Sequence, residues 1–363
     1  MKRFNWAVFI LMLTALSIGL AFIHSASYKI SSGTYDTYAL KQVVRIAIGL
    51  GIFFFLLFPK YSTLGDYLFI FYLICIVLLI AVFFIGSSVK GSIRWIPLGF
   101  FNLQPSELAK IAVILVVAKC FSQMDKSELQ YFGSLLKPFL FTAIPMGIIV
   151  LQPDLGTALV LVPIFLGIAF VAGAKSKHIM LIILACLLMI PVGYQFLKPY
   201  QRGRLLSFIN PEKDEYRLAE GYQLIQSKAA IGSGGLLGKG WGEGTQNNYD
   251  ILPERRTDFI FSVIAEEWGF AGTLFILLVL FGIIFLCMEI AYKSKDMFGR
   301  LIAVGVSIFL FLHTVINVGM TIGLMPVTGL TLPFVSYGGS SLFVSFVAVS
   351  LAINVGMRPA RVL

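Results

Sequence analysis

Charge is what this sequence has least of. Only 13% of its 363 residues are Asp, Glu, Lys or Arg, against 58% hydrophobic, and a soluble fold of this length would show far more charge to water. Histidine is scarcer still: His24, His178 and His313 are scattered, so no histidine-based metal motif emerges. The four cysteines, Cys75, Cys120, Cys186 and Cys287, fall in or near apolar segments without Cys-x-x-Cys spacing. They read as packing residues, not disulfides or metal ligands. Acidic residues number 18 against 28 basic ones, a net charge of +10. No aromatic-interleaved basic patch accompanies that excess, which therefore reads as contact with anionic lipid heads and a positive-inside bias, with no nucleic acid involved.

What the chain has in abundance is long apolar runs. Phe4 to Ile23, Tyr67 to Ile85, Leu155 to Ala172, Ile179 to Phe196, Ala271 to Met288 and Leu342 to Val355 are each long enough to cross ~30 Å of hydrocarbon. The expected fold is an all-α integral membrane protein of about ten transmembrane helices, near 4–25, 41–58, 66–86, 105–122, 136–150, 155–172, 178–197, 258–290, 299–320 and 341–357. The first run is long, lacks a clear small-x-small cleavage site and precedes many more spans, so it is expected to be a retained helix. Residues 1–363 are expected to form one polytopic membrane domain, with residues 198–257 as a large extracytoplasmic loop between helices 7 and 8. An even count puts both termini on one side. With that side cytoplasmic, its turns carry Lys2, Arg3, Lys60, Lys126, Lys137, Lys175, Lys177, Lys293, Lys295, Arg300, Arg358 and Arg361, the positive-inside pattern. Stretches 87–104, 198–257 and 321–340 then face outward.

Ionisable groups at helix depth are costly in hydrocarbon and point to function. In QPSELAK, Pro105 suits a first helical position, and Glu107 and Lys110 lie three apart on one face. The pair reads either as an intrahelical ion pair supporting the helix start or as part of a cavity. Asp154 in LQPDLGTA starts another helix, where a carboxylate favours the dipole or serves a site. In LPERRTDFIFSVIAEEWG, Thr257 is expected to cap a helix with Asp258 in its first turn. Capping does not explain Glu254, Arg255, Arg256 and Asp258 together, followed by Glu266 and Glu267 deeper in an apolar helix. With Lys90, Arg94, Arg202, Arg204 and Lys239 also assigned outward, cations that suit a pyrophosphate meet carboxylates that can take a proton from a sugar hydroxyl.

The glycine-rich GSGGLLGKGWGEG fails the phosphate-loop pattern, since Ser233 stands at the required first glycine and Gly240 follows Lys239 where Ser or Thr is needed. Leu237 breaks the dinucleotide spacing. Its amides meet an anion or the stretch is a flexible turn region.

Across nearly the whole chain, KGSIRWIPLG with QPSELAK, LQPDLGTALV, GYQLIQSKAAIGSGGLLGKGW, GTQ, LPERRTDFIFSVIAEEWG and GLMPVTGLTLPFVSYGGSSL resemble the SEDS family of peptidoglycan glycosyltransferases. GKGW and GTQ resemble its elongation members more than its division members. Arg256 stands where the family commonly has His. The resemblance implies a polymerase in the bacterial cytoplasmic membrane that joins lipid II units by β-1,4 linkages and releases undecaprenyl pyrophosphate. It maps the catalytic carboxylate onto Asp258 and important acidic and basic groups onto Glu107, Lys110 and Asp154. It also implies a class B penicillin-binding protein as partner within the elongation machinery. Physically this fits an inverting displacement with Asp258 as general base and cations, or a divalent magnesium or manganese ion, on the leaving group. The competing classes are a lipid II flippase, which would carry polar groups near the midplane on a path to both faces, and a scaffold, which would need no ionisable set.

Overall fold

The computed structural model describes all residues except 1–3, 30–33, 36, 90–91, 98, 100–101, 211–220, 250 and 359–363. The helices are α1 (Trp6–Ser25), α2 (Tyr38–Leu57), α3 (Tyr61–Ile85), α4 (Pro105–Ser122), α5 (Leu136–Leu151), α6 (Leu155–Ala172), α7 (Ser176–Gln195), α8 (Pro199–Ile209), α9 (Tyr222–Ser233), α10 (Thr245–Asn248), α11 (Ile260–Lys293), α12 (Met297–Ile322) and α13 (Ser340–Met357). They form an integral membrane bundle. Among the described residues nine helices are long and apolar enough to span, a set that leaves out α4. The reason lies in its three charges, Glu107, Lys110 and Lys119. Most of its side chains are buried against α3, α5, α6, α12 and α13, so those charges face protein.

Two departures from the expected all-helical pattern fall in the connections. A two-stranded hairpin, β1 (Tyr28–Lys29) with β2 (Thr34–Tyr35), joins α1 to α2. The 87–104 stretch is an antiparallel meander of β3 (Ser87–Val89), β4 (Ser92–Pro97) and β5 (Asn102–Leu103), with Trp95 opposite Ser87 and Ile96 opposite Leu103. Its residues alternate too briefly between glycines to announce strands.

The bundle has two distinct ends. At one, Phe4 packs edge-on to Phe53, with ring centroids 6.5 Å apart, so α1 begins where α2 finishes. There Asn354 Nδ2 donates to Leu56 O at 2.7 Å and Pro59 O at 2.8 Å, and Arg358 Nη2 donates to Leu57 O at 2.9 Å. These bonds use carbonyls that α2 cannot satisfy internally and bring the last helix to the same end as the first. The expected cations Lys2, Arg3 and Arg361 lie outside the described residues. The opposite end carries α8, α9 and α10, together with β3, β4 and β5 and the segment 323–339 between α12 and α13.

Candidate active site at the loop end

Asp258 sits in a turn before α11, not in its first helical turn: the helix starts at Ile260 with Phe259 as N-cap. Thr257 does not cap it. Its hydroxyl donates to Glu254 O at 3.3 Å and Glu254 Oε2 at 3.1 Å, closing a tight turn in which Glu254 takes φ 51°. The helix starts at Ile260, so the N-cap place falls on Phe259 and not on Thr257. Asp258 is partly buried. Its backbone carbonyl accepts from Asn317 Nδ2 at 2.9 Å, and a Cβ placed on Gly329 would stand 3.5 Å from its Oδ2. The carboxylate thus looks onto bare backbone of the 323–339 segment.

That segment joins the remaining groups. Arg204 Nη1 donates to Val327 O at 3.3 Å. Thr328 O would lie 2.9 Å from a Cβ on Gly156, so the glycine admits the segment against the start of α6. Asn317 Nδ2 donates to Leu330 O at 2.7 Å, and His313 Nδ1 lies 3.2 Å from Thr331 O. Ser336 Oγ donates to Thr257 O at 2.6 Å, and Tyr337 N donates to Arg256 O at 2.8 Å. Ser340 Oγ accepts from Gln104 N at 2.9 Å, ahead of α4.

Glu107 and Lys110 are buried and paired at 2.6 Å. Lys110 Nζ also stands 2.8 Å from His313 Nε2. Asp154 caps α6, accepting from Thr157 N at 3.3 Å and Thr157 Oγ1 at 3.0 Å. It is more than a cap, since Arg94 Nη1 lies 3.4 Å from Oδ1 and Gln104 Nε2 donates to Oδ2 at 3.3 Å. Arg94 also donates to Pro153 O, as does Tyr200 OH at 2.9 Å. Pro153, Glu254 and Phe334 are the non-glycine residues with positive φ among those described. They flank Asp154, Asp258 and the connecting segment, as backbone strain does at functional sites.

The remaining site candidates divide. Arg202, on α8, donates to Gln195 O at 2.6 Å. Arg255 is buried and donates from Nε to Ala26 O at 3.0 Å, beside Arg256, whose guanidinium covers the Tyr38 ring at 4.3 Å. Lys90 lies outside the described residues. Lys239 joins a different structure. Its ammonium pairs with Glu266 Oε1 at 2.6 Å, and its amide and that of Gly240 donate to Glu266 O and Glu267 O, each at 3.0 Å. Gly269 breaks α11 at φ 66°, a conformation glycine adopts freely. Phe270 N and Ala271 N beyond the break donate to Gly235 O at 2.9 Å and Leu236 O at 3.0 Å. The glycine-rich stretch is therefore a clasp on a helix break. Glu267 closes it, accepting from Ser25 Oγ at 2.5 Å and Gly242 N at 3.0 Å.

Among the described residues, no group of three or more His, Cys, Asp or Glu is placed to hold a metal ion. The described site can accept a proton at a carboxylate beside exposed backbone and offer guanidinium groups to an anion. Sequence reasoning missed His313, Asn317, Gln104 and Ser336. Their signal was polar character inside or beside apolar helices.

The fold and site define a multi-pass membrane protein with a cluster of ionisable groups at one end. The chain belongs to the family of cell cycle proteins formed by FtsW, RodA and SpoVE, whose model matches residues 5–360, which bears out the SEDS resemblance. It is 39% identical to the peptidoglycan glycosyltransferase MrdB of Escherichia coli over 320 residues, covering 87% of this chain and 84% of that one. Among solved structures it is similar to a chain from a peptidoglycan synthase complex that coordinates polymerization and crosslinking, with TM-score 0.84, 30% identity and 99% of both chains covered. It is also similar to the rod shape determining protein RodA of Thermus thermophilus, with TM-score 0.73, 28% identity, and 99% of this chain and 98% of that one covered.

Proposed function

We propose that this protein is a peptidoglycan glycosyltransferase that polymerises glycan from lipid II at the outer face of a bacterial cytoplasmic membrane during cell elongation. Both termini are cytoplasmic and the loop end faces outward. Asp258 acts as general base. It takes the proton from an acceptor sugar hydroxyl as the freed oxygen attacks the anomeric carbon of the donor. The bond from that carbon to phosphate breaks with inversion, forming a β-1,4 linkage and releasing undecaprenyl pyrophosphate. Arg94, Arg202 and Arg204 are the guanidinium groups suited to the departing charge. A class B penicillin-binding protein supplies crosslinking.

The observation that carries this reading is that one short segment, Val327–Thr331, borders Asp258 at Gly329, meets the start of α6 beside Asp154 through Gly156 and Thr328, and reaches the Glu107–Lys110 pair through His313 and Thr331. The family names of MrdB and the synthase complex support the same chemistry. Buried carboxylates, amines, guanidines and imidazoles among the described residues, namely Glu107, Lys110, Asp154, Arg255, Glu266, Glu267 and His313, lie in the half of the bundle toward the loop end. That favours chemistry at one face over a transport path through the midplane. The test is purified protein with its partner and labelled lipid II. Glycan ladders support the polymerase, whereas translocation without polymer would replace it with a flippase, and neither outcome would leave a scaffold.

A further inference from the structure

Lys110 is fully buried, and its ammonium has two partners within hydrogen-bond distance and an aromatic ring nearby. Glu107 Oε1 lies at 2.6 Å and His313 Nε2 at 2.8 Å, while the Phe309 ring centroid is 5.4 Å from Nζ. An ammonium accepts nothing, so His313 must offer Nε2 as a lone pair and carry its proton on Nδ1. Nδ1 faces Thr331 O at 3.2 Å, so one tautomer satisfies both contacts. One helical turn further along α12, on the same face, Asn317 Nδ2 donates to Leu330 O at 2.7 Å and to Asp258 O at 2.9 Å. Successive carbonyls of the 323–339 segment are thus held from α12, immediately after the Gly329 backbone that borders Asp258 Oδ2.

The geometry points to His313 as a positioning residue that couples the buried Glu107–Lys110 pair to Thr331 and, with Asn317, fixes the backbone bordering Asp258. Lys110 then acts through this segment and not as a ligand of phosphate, because its donors are already directed inside the protein. The inference rests on the reading of Asp258 as the base.

His313→Leu removes both bonds, whereas His313→Gln restores one donor and one acceptor at similar reach. The test compares full-length protein and these variants in lipid nanodiscs by hydrogen–deuterium exchange and, with the partner present, by kcat and KM for lipid II. His313→Leu is expected to speed exchange at Leu332, Val335 and Ser336 and to lower kcat about 100-fold, the order expected for a misplacement of about 1 Å. KM should stay unchanged, and His313→Gln should recover most of both losses. Unaltered exchange in His313→Leu, or a raised KM with kcat retained, overturns the assignment. Should His313→Leu fail to insert, His313→Asn decides, since its shorter amide reaches Thr331 O or Lys110 but not both. Parental exchange and kcat in that variant overturn the proposal. A wild-type protein that makes no glycan would strike the reading of function, while the exchange comparison still decides the role of His313.

Discussion

Replacing Lys239 with Met tests whether the glycine-rich stretch is a structural clasp or a substrate contact. The Glu266 side chain is 1% exposed and that of Lys239 28%, so the two ends of the pair are unequal. Removing one partner of a buried pair costs about 3–5 kcal/mol, because a charge is left uncompensated. Here Glu266 Oε1 keeps Thr245 Oγ1 at 2.9 Å and Gln246 N at 3.1 Å, and Lys239 is partly in water. Lys239→Met should therefore cost roughly 2–3 kcal/mol. Glu266→Gln leaves a lysine that solvent can reach and loses a charge-assisted bond, about 1–2 kcal/mol. The double variant orphans no charge and should match Glu266→Gln, giving a coupling of about 2–3 kcal/mol in the cycle, the full cost of Lys239→Met. Thermal unfolding of the four proteins in one detergent reads the order. Additive losses, or a greater loss for Glu266→Gln than for Lys239→Met, would refute the clasp. Stability spared in Lys239→Met with a raised KM for lipid II would return Lys239 to the substrate.

Lys110→Ala should lose more glycan synthesis than thermal stability, although it leaves Glu107 buried with an unmatched charge at a cost of about 3–5 kcal/mol; Lys110→Ala/Glu107→Ala should recover stability without recovering activity, as melting curves and product gels would show. Gly269→Ala places a Cβ 2.7 Å from Leu236 O at a positive φ. It should release the clasp, measured as new proteolytic cleavage within 234–246. Gly156→Ala sets a Cβ 2.9 Å from Thr328 O and should lower kcat by displacing the 327–331 backbone, with little change in melting if α6 itself is undisturbed.

The spans were legible because apolar length is a strong signal in a membrane protein. The expected helix at 105–122 coincides with α4, and that at 155–172 with α6. Glu107 with Lys110 could be paired from their spacing alone, since three residues apart on a helix means one face. What spacing cannot carry is contact between distant segments. In sequence His313 stands alone because Lys110 lies 203 residues away, and Lys239 reads as a phosphate ligand because Glu266 falls 27 residues on, inside an apolar helix. The break at Gly269 brings the two together, and a single glycine in an apolar run does not announce that its backbone will turn. Thr257 has a capping residue's chemistry, but the helix begins two residues too late for it, at Ile260 after Phe259.

The most direct measurement is the rate of glycan synthesis from lipid II by purified wild-type and Asp258→Asn proteins, each with its partner. The substitution keeps side-chain size, leaves the backbone carbonyl for Asn317 and removes basicity. Asp258→Asn is expected to lose about 10²- to 10⁴-fold in rate with unchanged melting and partner binding, while Glu266→Gln, altered in the clasp and not beside Gly329, retains synthesis. Well-folded Asp258→Asn protein that makes glycan at the parental rate would contradict the catalytic assignment and leave Asp258 a structural residue of the turn before α11.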